Sequence, residues 1–219
     1  MRELNKTTLA EQIYHILRSD IITRQITPGQ SLTLKSLQER FGVSSTPIRE
    51  ALTRISEDGL AEYSTNIGIN VIRLTDQDLV EIFTFASDLD SLAVRYCFEG
   101  PEYDATVEDL ADNIHCLEKA ADNHDMDKWK YYSDTFHKIF YEHCNNSRLK
   151  NASSKVFAQM EFCSAIYEKD PKTQASIYRE HKEIFKEFKE GDCPGAQQLI
   201  REHVRSGLNY ARATMEKEE

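Results

Sequence analysis

Long apolar runs are missing from this sequence. No stretch of about 18 apolar residues occurs in the 219-residue chain, and the N-terminal segment has no apolar core of signal-peptide length. These absences predict a cytoplasmic protein without a membrane-spanning helix. The hydrophobic content of 40% and the charged content of 29% are ordinary for a globular protein, and the length suffices for two domains.

Paired cysteine motifs are also missing. The five cysteines are widely spaced, and none forms a CxxC pair. In a cytoplasmic protein, such cysteines are more often reduced and individually packed than bridged. The pattern therefore argues against a disulfide framework and against a cysteine metal site.

Positive charge is scarce, because the net charge is −10. The deficit lies in one part of the chain. Residues 1–75 carry nine Lys/Arg and eight Asp/Glu, whereas residues 76–219 carry 18 and 29. A nearly neutral N-terminal part can still bind DNA if it presents its cations on one face. The candidate cations are Lys35, Arg49, Arg54 and Arg73.

The segment from Leu34 to Leu60 organises the N-terminal part. Apolar residues recur at helical spacing on both sides of Gly42, which predicts two short helices joined by a tight turn. Small polar residues before the second helix are candidate N-caps, namely Ser44, Ser45 and Thr46. The pattern predicts a helix-turn-helix, in which the N-terminal end of the second helix, with Arg49, enters the DNA major groove.

The flanks of this segment favour a DNA-binding unit over the alternative, a helix pair that is only part of a helical core. An amphipathic helix is predicted from about Thr8 to Thr23. The stretch LAEYSTNIGINVIRL predicts two short strands around a turn that contains Asn66 and Gly68. Three helices with such a wing make a winged helix.

These motifs resemble the DNA-binding domain of the GntR family of bacterial transcription regulators. VSSTPIREAL is preceded by TPGQSL and followed by EDGL and NIGINV, and the resemblance covers roughly Leu9 to Leu74. It implies DNA contacts by Lys35, Ser44, Ser45, Thr46, Arg49, Asn66 and Gly68. The family usually has Arg where this chain has Ser45, which predicts an operator different from the family's common one.

The rest of the chain shows helical periodicity without strand signals. Breaks at Gly, Pro and Asn residues divide it into about six helices. The predicted fold class is therefore mainly α. A winged helix-turn-helix with a small β-wing occupies residues 1–75, and an all-α helical bundle occupies residues 76–219.

Three histidines of the helical half suggest a metal site. His181 and His203 lie nearly equidistant from a predicted turn at residues 191–194, so they should face each other about 15 Å from the turn of an antiparallel helix pair. His137 lies in an apolar-rich helix. Three imidazoles that converge in a bundle suit Zn²⁺ or another first-row divalent metal. The alternative is three separate histidines on polar faces.

The helical half resembles the FCD ligand-binding domain of the FadR-like GntR subfamily. The resemblance lies in Phe136-His137, in Asn145-Asn146 and in the two later histidines, 22 residues apart. It implies that three histidines and an Asp or Asn hold a metal. That fourth residue normally lies four positions before the first His, where this chain has Ser133. Asp134, three positions before, is the doubtful substitute, and water is another.

The resemblance also bears on the small-molecule effector. The subfamily often carries an Arg that pairs with a ligand carboxylate, at the position that Ala86 occupies here. If the effector is an organic acid, the metal or another cation such as Arg95 must therefore hold it.

The leading hypothesis is a homodimeric transcription regulator that binds a palindromic double-stranded DNA operator and responds to a small metabolite. One alternative is a metal-dependent enzyme with three histidines and the winged helix as an accessory module. Against it, Glu180 and Glu202 each precede a histidine by one residue, so neither shares its face of the helix. The other alternative, a winged helix that binds protein, fits the small polar run and the wing glycine less well.

Overall fold

The computed structural model describes residues 7–64 and 68–218, and these form two compact units, divided between Thr75 and Asp76. Each unit is described by itself. In the described residues, no helix is both long and apolar enough to cross a bilayer. The five cysteines are free thiols, and four of them are buried.

Three helices form the body of the N-terminal unit. They are α1 (Leu9–Ile22), α2 (Leu34–Phe41) and α3 (Ser45–Glu57). The Thr8 side chain accepts a hydrogen bond from the Glu11 N–H and so caps α1. Gly42 ends α2 with φ 66°, a left-handed conformation that costs glycine little. The predicted tight turn between α2 and α3 is thus confirmed.

The core of this unit lies between α1 and α3. The buried face of α3 consists of Ile48, Ala51, Leu52 and Ile55. On α1 the buried stripe runs through Ile13, Leu17 and Ile21, at four-residue spacing. Leu9 and Ile16 had the right spacing for the predicted apolar face, but they remain 56% and 43% exposed. They lie at the margin of the stripe, where α3 does not cover them.

A three-stranded antiparallel sheet completes the winged helix-turn-helix, which confirms that part of the predicted fold class. Its strands are β1 (Ser31–Leu32), β2 (Ala61–Ser64) and β3 (Gly68–Val71), in the order β1-β3-β2. The hairpin of β2 and β3 is the predicted wing, and its tip, with Asn66, lies outside the described residues. The sequence did not predict β1, because two residues are too short for a periodic signal.

The second unit is all-α in its described residues, as predicted. Its helices are α4 (Asp76–Glu99), α5 (Tyr103–Asp122), α6 (Met126–His143), α7 (Ser147–Tyr167), α8 (Pro171–Lys189) and α9 (Cys193–Glu218). The helix α4 packs against α6, α7 and α9, and α8 packs against α9. An aromatic cluster of Phe136, Phe140 and Phe188 lies in the core between α6 and α8. This packing surrounds α6 with the helices that carry the other candidate site residues.

His143, at the end of α6, lies between two carboxylates. Its Nδ1 is 2.8 Å from Glu102 Oε2, and its Nε2 is 2.7 Å from Asp109 Oδ2. Partial burial lowers the pKa of His143, but the two carboxylates outweigh it, and the net shift is upward. The ion pairs therefore stabilise the fold fully below the unfolded-state pKa of about 6.5, and this contribution is lost as the pH rises through the higher folded-state pKa.

We predict that His143→Gln lowers the free energy of unfolding more at pH 6 than at pH 9. Both carboxylates are more than half exposed, so each ion pair should contribute about 1 kcal/mol or less. Urea unfolding of the wild type and the variant at the two pH values measures the difference. An equal loss at both values would show that the two ion pairs do not stabilise the fold.

Candidate functional site

Two histidines face each other across the α8–α9 hairpin. The Asp170 side chain caps α8 by accepting from the Thr173 N–H, and Gly191, with φ 87°, lies in the turn before α9. The geometry of the hairpin places His181 Nε2 and His203 Nε2 3.1 Å apart. Equal distances from the turn thus bring the two imidazoles to the same height.

The third histidine reaches the same point from α6. His137 Nε2 lies 3.2 Å from His203 Nε2. One nitrogen from each of the three rings falls within a sphere in which all separations are at most 4.8 Å. Among the described residues, this is the group of His, Cys, Asp and Glu side chains that could hold a metal ion.

Two carboxylates hold the outer nitrogens of these rings. His137 Nδ1 lies 2.7 Å from Asp90 Oδ2, and His203 Nδ1 lies 2.6 Å from Glu180 Oε2. Asp90 is 4% exposed and also accepts a 2.6 Å hydrogen bond from the Tyr141 hydroxyl. A neutral imidazole that donates its Nδ1–H to a carboxylate presents the Nε2 lone pair on its other side. The carboxylates therefore favour the tautomer in which Nε2 can bind a cation.

His181 is held by packing instead of by a carboxylate. Its ring stacks on Phe136, with centroids 4.1 Å apart and planes 10° apart. Its Nδ1 is buried and has no hydrogen-bond partner among the described residues. Burial lowers its pKa well below the ordinary value, and His203 and His137 lower it further. The His181 ring is therefore neutral near pH 7.

The donor set fits a divalent first-row metal. Burial also lowers the pKa of His203, although Glu180 raises it, so this ring too can offer a lone pair. Zinc binds histidine nitrogens at about 2.0–2.1 Å, which puts two ligands of a tetrahedral site roughly 3.3 Å apart. The two closest Nε2–Nε2 distances are 3.1 and 3.2 Å. Three such nitrogens without a cation between them repel one another through their lone pairs.

The two residues considered for a fourth ligand lie beside this cluster. Ser133 is buried, and its side chain lines the neighbouring cavity. Asp134 lies outside the group of three ligand atoms, and its Oδ2 is 3.1 Å from Lys130 Nζ. The ammonium group of Lys130 thus takes up the carboxylate that was the doubtful fourth ligand.

Sequence reasoning missed the two carboxylates that orient the rings. Glu180 was set aside because it lies off the face of His181, but it contacts His203 of the neighbouring helix instead. Asp90 was placed on the apolar face of α4 without a role. A carboxylate among buried apolar residues was the available signal, because such a group is rarely buried without a partner.

A cavity adjoins the three histidines. It encloses about 700 Å³ of unoccupied space, part of it open to solvent, and His137 and His203 line it. Further lining residues come from α4, α6, α7, α8 and α9. Arg95, the suggested partner of an effector carboxylate, does not line this cavity. Its guanidinium lies 5.2 Å from the centroid of the Tyr96 ring.

The candidate DNA-contacting residues cluster on α2, α3 and the wing. The exposed ones are Lys35, Ser44, Thr46, Arg49 and Gly68. Ser45 is half-buried, and Asn66 lies outside the described residues. Arg54 was also a candidate cation, but its guanidinium stacks on the Tyr14 ring at 3.9 Å, within the unit. This contact gives Arg54 a structural role.

We predict that Asp90→Asn lowers zinc affinity by about 10- to 100-fold, because the amide no longer provides a charged acceptor for His137 Nδ1. Competition against a chromophoric chelator measures this change. Asp88→Asn, an exposed change on the same helix, is the matched control. Equal zinc affinities of the two variants would remove Asp90 from the centre.

Comparison with known proteins finds relatives along nearly the whole chain. Residues 9–71 match the family described as bacterial regulatory proteins, gntR family, and residues 81–206 match the FCD domain. A Bacillus subtilis (strain 168) protein, described as the uncharacterized HTH-type transcriptional regulator YdhC, is 28% identical over 207 residues. That alignment covers 94% of this chain and 92% of the relative.

Two further comparisons agree. The HTH-type transcriptional repressor RspR of Escherichia coli (strain K12) is 24% identical over 203 residues, which cover 92% of this chain and 89% of that protein. The crystal structure of a GntR transcriptional regulator from Rhodococcus sp. RHA1 superposes with a TM-score of 0.77 at 18% identity. The match covers 93% of this chain and 97% of that one, and it shows a shared fold.

Proposed function

Because the chain belongs to the GntR family of bacterial regulatory proteins and carries an FCD domain, we propose that it binds a palindromic DNA operator as a homodimer, under the control of a small metabolite. The protein is a transcription regulator, as its relatives are, and not an enzyme. Residues 1–75 would bind DNA, and residues 76–219 would bind the effector and dimerise. The proposed location is the bacterial cytoplasm, where the operator DNA lies.

The observation that supports operator binding most is the exposed N-terminal end of α3. Ser44 occupies the N-cap position without a side-chain capping hydrogen bond, so the first N–H groups of the helix remain available to a phosphate. Thr46 and Arg49 are three residues apart and share one exposed face. That face lies opposite the buried apolar residues of α3. This placement suits base contacts by Arg49 and backbone contacts by the hydroxyls.

The homodimer is proposed from the symmetry of such recognition. Two copies related by a two-fold axis present two α3 helices to two half-sites, which makes the operator palindromic. An effector changes DNA affinity only if it binds one arrangement of the two copies more tightly than the other. The cavity of the helical unit is the proposed place for this ligand.

We propose that His137, His181 and His203 hold a divalent ion, zinc or another first-row metal. When bound, such an ion would supply a Lewis-acidic coordination position beside the cavity. Asp90 and Glu180 orient two of the three rings toward it. Ser133 leaves room next to the histidines, where the subfamily usually provides a carboxylate or amide.

Selection of bound duplexes from a random DNA pool tests the proposed function. Full-length protein with one equivalent of zinc is used at moderate salt, because salt sets the non-specific background. We expect enrichment of a short two-fold symmetric sequence, bound by two copies of the chain in size-exclusion chromatography with light scattering. A pool that shows no enrichment with or without zinc would refute operator binding.

A further inference from the structure

We infer that the effector cavity takes a neutral, hydroxyl-rich small molecule, such as a sugar or a polyol, in preference to an organic acid. This inference rests on the proposed function, because it treats the cavity beside the three histidines as the effector site. It replaces the organic acid considered from the sequence.

The cavity offers no cationic side chain to an anion. Among the described residues that line it, none is Lys or Arg. Four lining residues carry carboxylates, namely Asp90, Asp134, Glu161 and Glu168. Ala86, which stands where an Arg clamp would be expected, lines the same space. An organic acid would therefore approach these carboxylates without a guanidinium or ammonium group to bind it.

The lining carboxylates already have cationic or hydrogen-bonding partners behind the wall. Lys130 Nζ lies 3.0 Å from Glu168 Oε2 and 3.1 Å from Asp134 Oδ2. Lys138 Nζ lies 2.7 Å from Glu161 Oε1. Asp90 is bound by His137 and by the Tyr141 hydroxyl. A cationic ligand would thus find carboxylates whose charge is largely balanced.

The same groups are well suited to hydroxyls. A carboxylate oxygen that binds a lysine retains a lone pair, which can accept a hydrogen bond from a ligand hydroxyl. Serine hydroxyls, which can donate and accept, line the cavity at Ser133, Ser153, Ser164 and Ser206. Three aromatic rings also line it, and they offer apolar faces to the C–H surface of a polyol: Phe157, Tyr167 and Tyr210.

Isothermal titration calorimetry with compounds matched in carbon skeleton tests the inference. Full-length protein with one equivalent of zinc is titrated with the C5 and C6 aldoses and alditols, and separately with the corresponding aldonates. We expect at least one neutral compound to bind at least tenfold more tightly than its matched aldonate. The inference is overturned if no neutral compound binds, or if the aldonates bind as tightly or more tightly.

A serine pair on α7 tests whether binding occurs in this cavity. Ser153 is 2% exposed and lines it, whereas the neighbouring Ser154 is exposed and does not. Both hydroxyls donate to carbonyls of their own helix, so either change to alanine should spare the fold. We expect Ser153→Ala to weaken the neutral ligand at least threefold and Ser154→Ala to leave it unchanged. Equal affinities of the two variants would place the ligand elsewhere.

An added cation tests the stated reason for the preference. Met160 lines the cavity and is only partly buried, so a lysine of similar length can reach both cavity and solvent. Met160→Lys should raise aldonate affinity at least tenfold and leave the matched alditol within threefold. An unchanged aldonate affinity would contradict the electrostatic argument. Operator selection is read independently of these titrations, so failure of either proposal remains distinguishable.

Discussion

Replacing His203 with alanine is expected to lower the affinity for zinc at least 1000-fold, the largest effect of any single change proposed for this protein. His203 is central to the cluster, because its Nε2 lies within 3.2 Å of the Nε2 atoms of both His181 and His137. Its removal takes away one of three protein ligands and leaves two nitrogens. A 1000-fold loss corresponds to about 4 kcal/mol of binding free energy.

Competition with a chromophoric chelator at pH 7.5 measures this loss. A thermal melt gives a second reading, because an ion bound at 100 times its Kd stabilises the fold by about 2.7 kcal/mol. The zinc-dependent rise in Tm should vanish in the variant. His115→Ala, an exposed histidine on α5, is the control and should keep both responses.

His203→Gln guards against a folding defect, because its amide can still donate to Glu180 and fills similar space. Circular dichroism should report a wild-type helical content for this variant, together with the same loss of zinc affinity. If folded His203→Gln binds zinc within tenfold of wild type, the three histidines do not form the metal centre.

The second large effect is expected at the DNA-binding face. Arg49→Ala should weaken binding to the selected operator by about 10- to 100-fold, which is the usual range for losing one side chain that contacts a base through two hydrogen bonds. Arg49 is exposed and lies on the face of α3 opposite Ile48 and Leu52, so the fold should not depend on it. Fluorescence anisotropy at fixed salt measures the change.

Two further variants separate base contact from phosphate contact. Arg49→Lys keeps the charge but loses the paired donors of the guanidinium, so it should lose nearly as much affinity as Arg49→Ala if Arg49 contacts a base. Lys35→Ala should weaken all sequences alike and reduce the salt slope by about one. Full operator affinity in Arg49→Ala would exclude this end of α3 as the recognition element.

The winged helix-turn-helix could be predicted because its determinants are local. Gly42 ends α2 in a left-handed conformation, and the apolar residues of α3 repeat at helical spacing, so neighbouring residues decide both features. The strand β1 could not be predicted. Its two residues become a strand only by pairing with Asn70 and Ile69 of β3, nearly 40 positions away.

The candidate metal site shows the same division. The sequence by itself determined that His181 and His203 face each other, because the helical rise is constant and both lie nearly equidistant from one turn. Only the tertiary structure decided that Asp90 holds His137 across 47 residues and that Glu180 holds His203 instead of lying unused. Helix periodicity fixes which residues share a face of one helix. The packing of separate helices fixes which side chains meet across the bundle, and it also creates the cavity, because no single helix encloses space.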